Sequence, residues 1–335
     1  MHNKILATLI LVVSMSMAGI AQKTYGIQKT FRIASLGGWD YLAINGKELY
    51  VSHGNQVNIL DKTSGDSIGV VTNTNGVHGI AFVPQVNKGY TTNGRLNNVT
   101  VFDLTTHEVV QQIATGQNPD ALVYDRFSKS IFVCNGRSND LTVIDVASNK
   151  VTATIALGGK PETAVTDHAG KLYVNIEDKN EIVEVNTQTL TAKRHWPLGK
   201  AEAPTGLAFD INTKRLFAGC EKLLVVMDAA NGTVITQIPI GDGCDGVVFD
   251  VATKTIFTSN GEGTMTVIKE EAANNFKVTE TIITKPGART ITLDETTHQL
   301  YLPTAEFEPL AADAKKGDRP KMKPGTFQVL VVGKL

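Results

Sequence analysis

The sequence predicts an all-β chain, a seven-bladed β-propeller of four-stranded antiparallel blades. Three observations predict it. A self-similar pattern returns about every 42 residues, inside the range of propeller blades. Each repeat holds four short runs rich in β-branched and aromatic residues, and helix-period stretches are absent. Finally, the two ends of the chain supply complementary parts of one blade.

The repeats begin at Trp39, Val77, Pro119, Pro161, Pro204, Cys244 and Ala288. The first run is short and apolar, as in Gly79-Ile80-Ala81-Phe82 and Gly206-Leu207-Ala208-Phe209. The second is exemplified by Lys171-Leu172-Tyr173-Val174-Asn175, and the third ends in Asp at Asp61, Asp103, Asp145 and Asp228. Such an Asp is read as structural, accepting backbone N–H bonds in a hairpin turn. The fourth run alternates apolar and polar residues and ends at Gly, as at Gly116 and Gly241. A strand between two neighbouring blades buries both faces and reads as a continuous apolar run; a half-solvated outer strand alternates. The terminal Gly is expected to supply a positive φ at the reversal into the next blade.

The last repeat has only three runs, at residues 291–293, 299–302 and 327–332. Residues 29–37 read as an unassigned fourth strand, which would complete that blade and remove an open sheet edge. Between the second and third runs of the last blade lies a charged, Pro-containing insertion at about residues 304–325, a solvated loop or a flap over one face.

Met1-His2-Asn3-Lys4 followed by an apolar run from Ile5 to Ala18 fits a secretory signal peptide, residues 1–21, cut after Gly19-Ile20-Ala21. The rival is a retained membrane anchor, but the run falls short of the ~20 residues that span a bilayer comfortably. The expectation is an exported protein, periplasmic or secreted, with residues 22–335 as one propeller domain, no transmembrane segment after cleavage, and a monomeric state. No Cys follows the cut to carry a lipid. Lys and Arg number 32 against 33 Asp and Glu, which argues against a general phosphate-binding surface and gives no specific nucleic-acid signature. Cys134, Cys220 and Cys244 match no zinc spacing; Cys220 and Cys244 could pair, since both fall in loops on one face.

Leu172-Tyr173-Val174-Asn175, Gly89-Tyr90-Thr91-Thr92-Asn93 and Phe257-Thr258-Ser259-Asn260 resemble the "YVTN" signature of YncE-like β-propeller repeat proteins, and the phased resemblance covers the whole chain after the leader. Departures are His53, Cys220 and Thr304 at the Asn position. A WD40 propeller fits badly, because the single Trp39-Asp40 pair precedes a first strand. The resemblance implies an exported propeller without an assigned catalytic centre. It also implies kinship with lactonase-like propellers and with the propeller subunits of quinone-dependent or haem-containing oxidoreductases, so the fold transfers and the activity does not.

Propeller ligands gather at the mouth of the central channel. The second residue of each repeat gives a ring there: Asp40, His78, Asp120, Glu162, Thr205, Asp245 and Arg289. The ends of the second runs give a wider ring, His53, Asn93, Asn135, Asn175, Cys220, Asn260 and Thr304, and Trp39 lies near enough to stack on a ligand. Asp40, His78, Asp120, Glu162, Asp245, Arg289, His53 and Trp39 are therefore the candidate ligand-binding residues, in a polar and mostly acidic funnel for a cation, a sugar-like molecule or a peptide. The competing reading is that the acidic members only cap tight turns. His78 with Asp120, Glu162 or Asp40 could also ligate a metal, if blade spacing brings them close.

Catalytic signatures are absent: no H-E-x-x-H or Cys-x-x-Cys-His occurs, no G-x-S-x-G or Gly-rich string leads from a strand into a helix-period stretch, and no cofactor is indicated. His168, His195 and His298 read as surface residues and Trp196 as packing. The expected function is a non-enzymatic binding module for a small molecule, protein or peptide. The alternatives are a lactonase-type hydrolase using His78 beside Arg289, a degenerate quinoprotein-like oxidoreductase, and a scaffold docking through the 304–325 loop.

Overall fold

The four runs of each of the first six repeats form consecutive antiparallel strands, and with the blade shared between the chain ends they give seven four-stranded sheets. The computed structural model describes residues 24–309 and 320–335. The leader and the middle of the 304–325 insertion lie outside the described residues. Blade I comprises Trp39–Asn45, Glu48–His53, Gln56–Asp61 and Ser67–Val71. The innermost strands of blades II to VI are Val77–Val83, Pro119–Asp125, Pro161–Thr166, Leu207–Asp210 and Cys244–Asp250.

The gradient of pattern along each repeat matches the burial. Every residue of Ser130–Asn135 is buried, whereas Lys150–Ala156, the outermost strand of the same blade, is largely exposed. The core is divided among the gaps between blades. Phe132 and Leu141 of blade III pack with Leu172 and Val174 of blade IV, and six comparable clusters occupy the other gaps. Stability is therefore a property of neighbouring sheets, and each blade needs both neighbours.

Blade VII is made of Thr292–Asp294, Gln299–Thr304, Gln328–Lys334 and, on its outside, Tyr25–Arg32 from the N-terminus. The closing strand lies earlier than residues 29–37, pairing from Tyr25 with Lys334 to Arg32 with Gln328. Only Tyr25 and Phe31 in it are buried, so it offers little periodicity from which to read its limits.

The Asp residues that end the third strands act as expected. The amides of Thr63 and Ser64 donate to Asp61 Oδ1 at 2.8 and 2.9 Å, and those of Thr105 and Thr106 do the same for Asp103. These hydrogen bonds hold both carboxyls below the usual carboxylate range.

The glycines that end the fourth runs divide: Gly37, Gly158 and Gly199 have the expected positive φ, and two others differ. Gly116 and Gly241 do not have positive φ; the left-handed residues are Gly76, Asn118 and Gly243, immediately before the next innermost strand. Space explains Gly116 instead. A Cβ there would lie 2.4 Å from Ser138 Oγ and 2.7 Å from Asn135 Nδ2.

That Asn135 amide belongs to a repeated clamp. It donates to Asp140 Oδ1 at 2.7 Å and Thr142 Oγ1 at 2.9 Å, and Asn93 and Asn260 hold the same position in their blades. Asn135→Ala is expected to destabilise the protein by about 2 kcal/mol, because it leaves buried polar partners unsatisfied. A lower urea midpoint at unchanged slope would show this; an unchanged midpoint would rule the clamp out as a stabilising feature.

Cys220 and Cys244 do not pair. All three cysteines are buried free thiols. Among the described residues no helix is long and apolar enough to cross a membrane.

Candidate functional site at the channel mouth

The start of each innermost strand pairs with the end of the second strand, as in Trp39 with His53, Pro119 with Asn135 and Cys244 with Asn260. The predicted ring and the base of the 304–325 insertion therefore share one face. The backbone under the ring is pinned from blade to blade. Thr290 Oγ1 donates to the Asp40 carbonyl at 2.6 Å, Thr205 Oγ1 to the Cys244 carbonyl at 2.6 Å, and Thr92 Oγ1 to the Asp120 carbonyl.

Five ring residues form one network. His78 Nδ1 lies 2.6 Å from Asp40 Oδ2 and 3.9 Å from Asp120 Oδ1. Arg289 places one guanidinium nitrogen 3.1 Å from Asp245 Oδ2 and another 3.5 Å from Asp40 Oδ1. Glu162 stands beside them but is engaged by Lys160 at 2.5 Å, which also pairs with Glu177. Thr205 spends its hydroxyl on the backbone bond above.

Crowding of these groups shifts their protonation. Burial, with the charge of Asp40, pushes the Asp120 carboxyl up to about 7 against the pull of His78. Burial raises Asp245 to about 6 although Arg289 opposes it. Burial and Asp120 also raise Glu162, with Lys160 opposing. For His78, burial disfavours the cation, but the Asp40 hydrogen bond and the charges of Asp120 and Asp40 outweigh it and raise the pKa.

Beneath the ring, Tyr41 reaches across the axis, its hydroxyl 3.4 Å from Thr163 Oγ1 of blade IV. A residual cavity of about 130 Å³ remains there, lined in part by Gly206, Asp245 and Thr290. Beside the ring a larger cleft of about 450 Å³ runs between Trp39, Gly243, Pro286, Arg289, Phe307 and Pro320. Trp39 thus stands at the mouth, packed on Phe327 and Phe307 at 5.4 and 6.0 Å between ring centroids. The insertion's described base contributes Phe307, bridged to Met322.

The wider ring does not line the funnel. His53 and its six equivalents are fully buried. His53 stacks on Phe327 at 3.8 Å and hydrogen-bonds Gly37 O at 2.7 Å, so its imidazole knits the closing blade to blade I. Burial accordingly lowers its pKa, against the Gly37 hydrogen bond. Trp196 is packing, stacked on Tyr173. His195 is paired with Glu181 on an outer strand.

Lys160, Tyr41 and Phe307 were not singled out from sequence. Tyr41 had a signal: it is the one large side chain at a position held elsewhere by Gly79, Ala121, Thr163, Gly206, Gly246 and Thr290. Lys160 precedes its repeat, and Phe307 lies in an insertion with no counterpart in other blades.

A family model described as YNCE-like beta-propeller matches residues 47–171, from the second strand of blade I into blade IV. No curated protein matches the chain in a sequence comparison. Among solved structures, a chain of Kuenenia stuttgartiensis hydrazine synthase is similar with a TM-score of 0.70 at 13% identity, covering 79% of this chain and 91% of that one. At that identity the likeness concerns the fold alone. Over residues 47–171 the chain is thus similar to YNCE-like β-propeller proteins, and beyond that segment the same four-stranded repeat continues to a closed ring of seven blades.

Proposed function

We propose that this chain is an exported binding module that holds a small molecule or peptide bearing a positive group at the channel mouth. The observation that carries the reading is the convergence of Asp40, His78, Asp120, Asp245 and Arg289 from five blades above an axis narrowed by Tyr41. Carboxylates outnumber fixed cations in this funnel, which favours a cationic group in the ligand. The narrowed axis favours holding over passage. Export rests on residues 1–21 as read above.

A thermal-shift screen of polyamines, oligosaccharides and cationic peptides, run without divalent ions, tests it. At least one probe is expected to raise the melting midpoint, and the increase is expected to vanish in Asp245→Asn and Asp120→Asn. A shift that survives both substitutions would place binding elsewhere.

One observation favours a second reading. The 2.6 Å His78–Asp40 contact, with Arg289 nearby, has the base-and-orienter geometry of a hydrolase. Turnover of a lactone panel that is lost in His78→Ala would replace the binding reading with this one.

A further inference from the structure

We propose that Asp40, His78 and Asp120 form a binding site for one divalent transition-metal ion, an inference that rests on the mouth being a ligand site and names its ligand. The three residues occupy the same position on the innermost strands of blades I, II and III. One donor atom from each lies within 4.8 Å of the others. An ion with bonds of about 2.0–2.2 Å sets its donors roughly 3–4 Å apart, so small side-chain rotations that widen the present 2.6 Å separation and shorten the 3.9 Å one would admit it.

The surroundings separate this trio from its neighbours. Glu162 and Asp245 already have Lys160 and Arg289 as counterions. Asp120, only 16% exposed, has no hydrogen bond to its carboxylate among the described residues; its nearest charged partner is His78 at 3.9 Å. The carboxylate of Asp40 is divided: Oδ2 faces His78, while Oδ1 faces Arg289, which Asp245 in turn neutralises and holds. Such an outer contact orients a ligating carboxylate. The main chain at both Asp residues is fixed by Thr290 and Thr92 from adjacent blades, so the donors stand on a rigid frame.

The donor set selects the ion. One imidazole nitrogen with two carboxylates suits zinc and its first-row neighbours; magnesium and calcium prefer oxygen alone, and no thiolate is present to favour copper(I). Three protein donors leave a coordination position of a four-coordinate ion for water or an exogenous ligand.

Zinc titration of untagged, chelator-stripped protein by calorimetry and equilibrium dialysis tests the proposal. Saturable binding of one Zn²⁺ per chain is expected. His78→Ala and the isosteric Asp120→Asn should each weaken it by more than about 100-fold, beyond the usual effect of losing an outer-shell partner. His195→Ala, on an outer strand away from the mouth, should leave it unchanged. Circular dichroism and a cooperative melt show that each variant is folded. X-ray absorption of the zinc-loaded protein should report one imidazole and otherwise oxygen donors. Absence of saturable binding, or binding unaltered in both folded ligand variants, overturns the site. If zinc fails while the metal-free screen finds a probe that depends on Asp245, the mouth remains a ligand site and only the metal is lost. If both fail, both readings fall.

Discussion

A chain lacking Tyr25–Arg32 is expected to lose its cooperative unfolding transition and to aggregate. The strand is the outer member of blade VII, and its removal would bare the edge of Gln328–Lys334, an apolar run buried almost throughout. Unprotected edges of this kind pair with other chains. The strand also ties three blades together. Tyr25 meets Phe257 of blade VI edge-on at 5.2 Å, and Phe31 packs against Tyr301 within blade VII. Phe31 also lies over Gly65 of blade I, where a Cβ would come within 2.2 Å of its ring. Phe31→Ala should alone cost about 3–5 kcal/mol, the range for truncating a buried aromatic. Size-exclusion chromatography and urea unfolding decide the matter. A truncated chain that elutes as the full one does, with the same midpoint, would show that the closure contributes nothing to stability.

The second large effect is expected on the opposite face, where Lys62 of blade I meets Asp294 of blade VII at 2.7 Å, with side chains 11% and 3% exposed. Asp294→Ala leaves a largely buried ammonium without its counterion, and a loss of roughly 3–5 kcal/mol is expected at neutral pH. Burial by itself would raise the Asp294 pKa. The hydrogen bonds from Lys62, the Thr297 hydroxyl and the Thr296 amide outweigh it and hold the carboxyl below the usual range. A carboxyl depressed in the folded state contributes its full stability above its unfolded pKa, about 3.9, and loses it as pH falls from there through the folded value. The stability gap between wild type and Asp294→Ala should therefore stay level from about pH 7 to 5 and shrink below about pH 4. Urea midpoints across that range check it. A gap that widens on acidification would mean that the pair is not held by an ionised Asp294.

Much of the fold was legible because each strand's burial is written into its own composition. Ser130–Asn135 could only be a doubly covered strand, and the Asp at the end of each third strand marked a turn whose amide hydrogen bonds are local. The limits of the closing strand were less legible, since a mostly solvated strand carries few apolar positions. The positive φ expected of the terminal glycines holds at Gly158 and Gly199, but Gly116 is needed for another reason: it answers to the side chains of Ser138 and Asn135 across a gap, and no local rule contains that distance.

The candidate site divides the same way. The repeat phase put Asp40, His78, Asp120, Glu162, Asp245 and Arg289 at one equivalent position, and equivalence in a closed ring obliges them to share a face. The repeat phase also put His53 on that face, yet its burial against Phe327 depends on how the closing blade packs.

By itself the sequence determined the blade count, the strand order, the closure by the N-terminus and the identity of the ionisable ring. Each of these follows from a period along one chain. Only the tertiary structure decided that Arg289 joins Asp245 to Asp40, that Lys160 takes Glu162, that Tyr41 narrows the axis and that Asp40, His78 and Asp120 come within one ion's reach. Those outcomes depend on the lateral distance between blades at the axis. Packing across the gaps sets that distance, and periodicity along the chain does not record it.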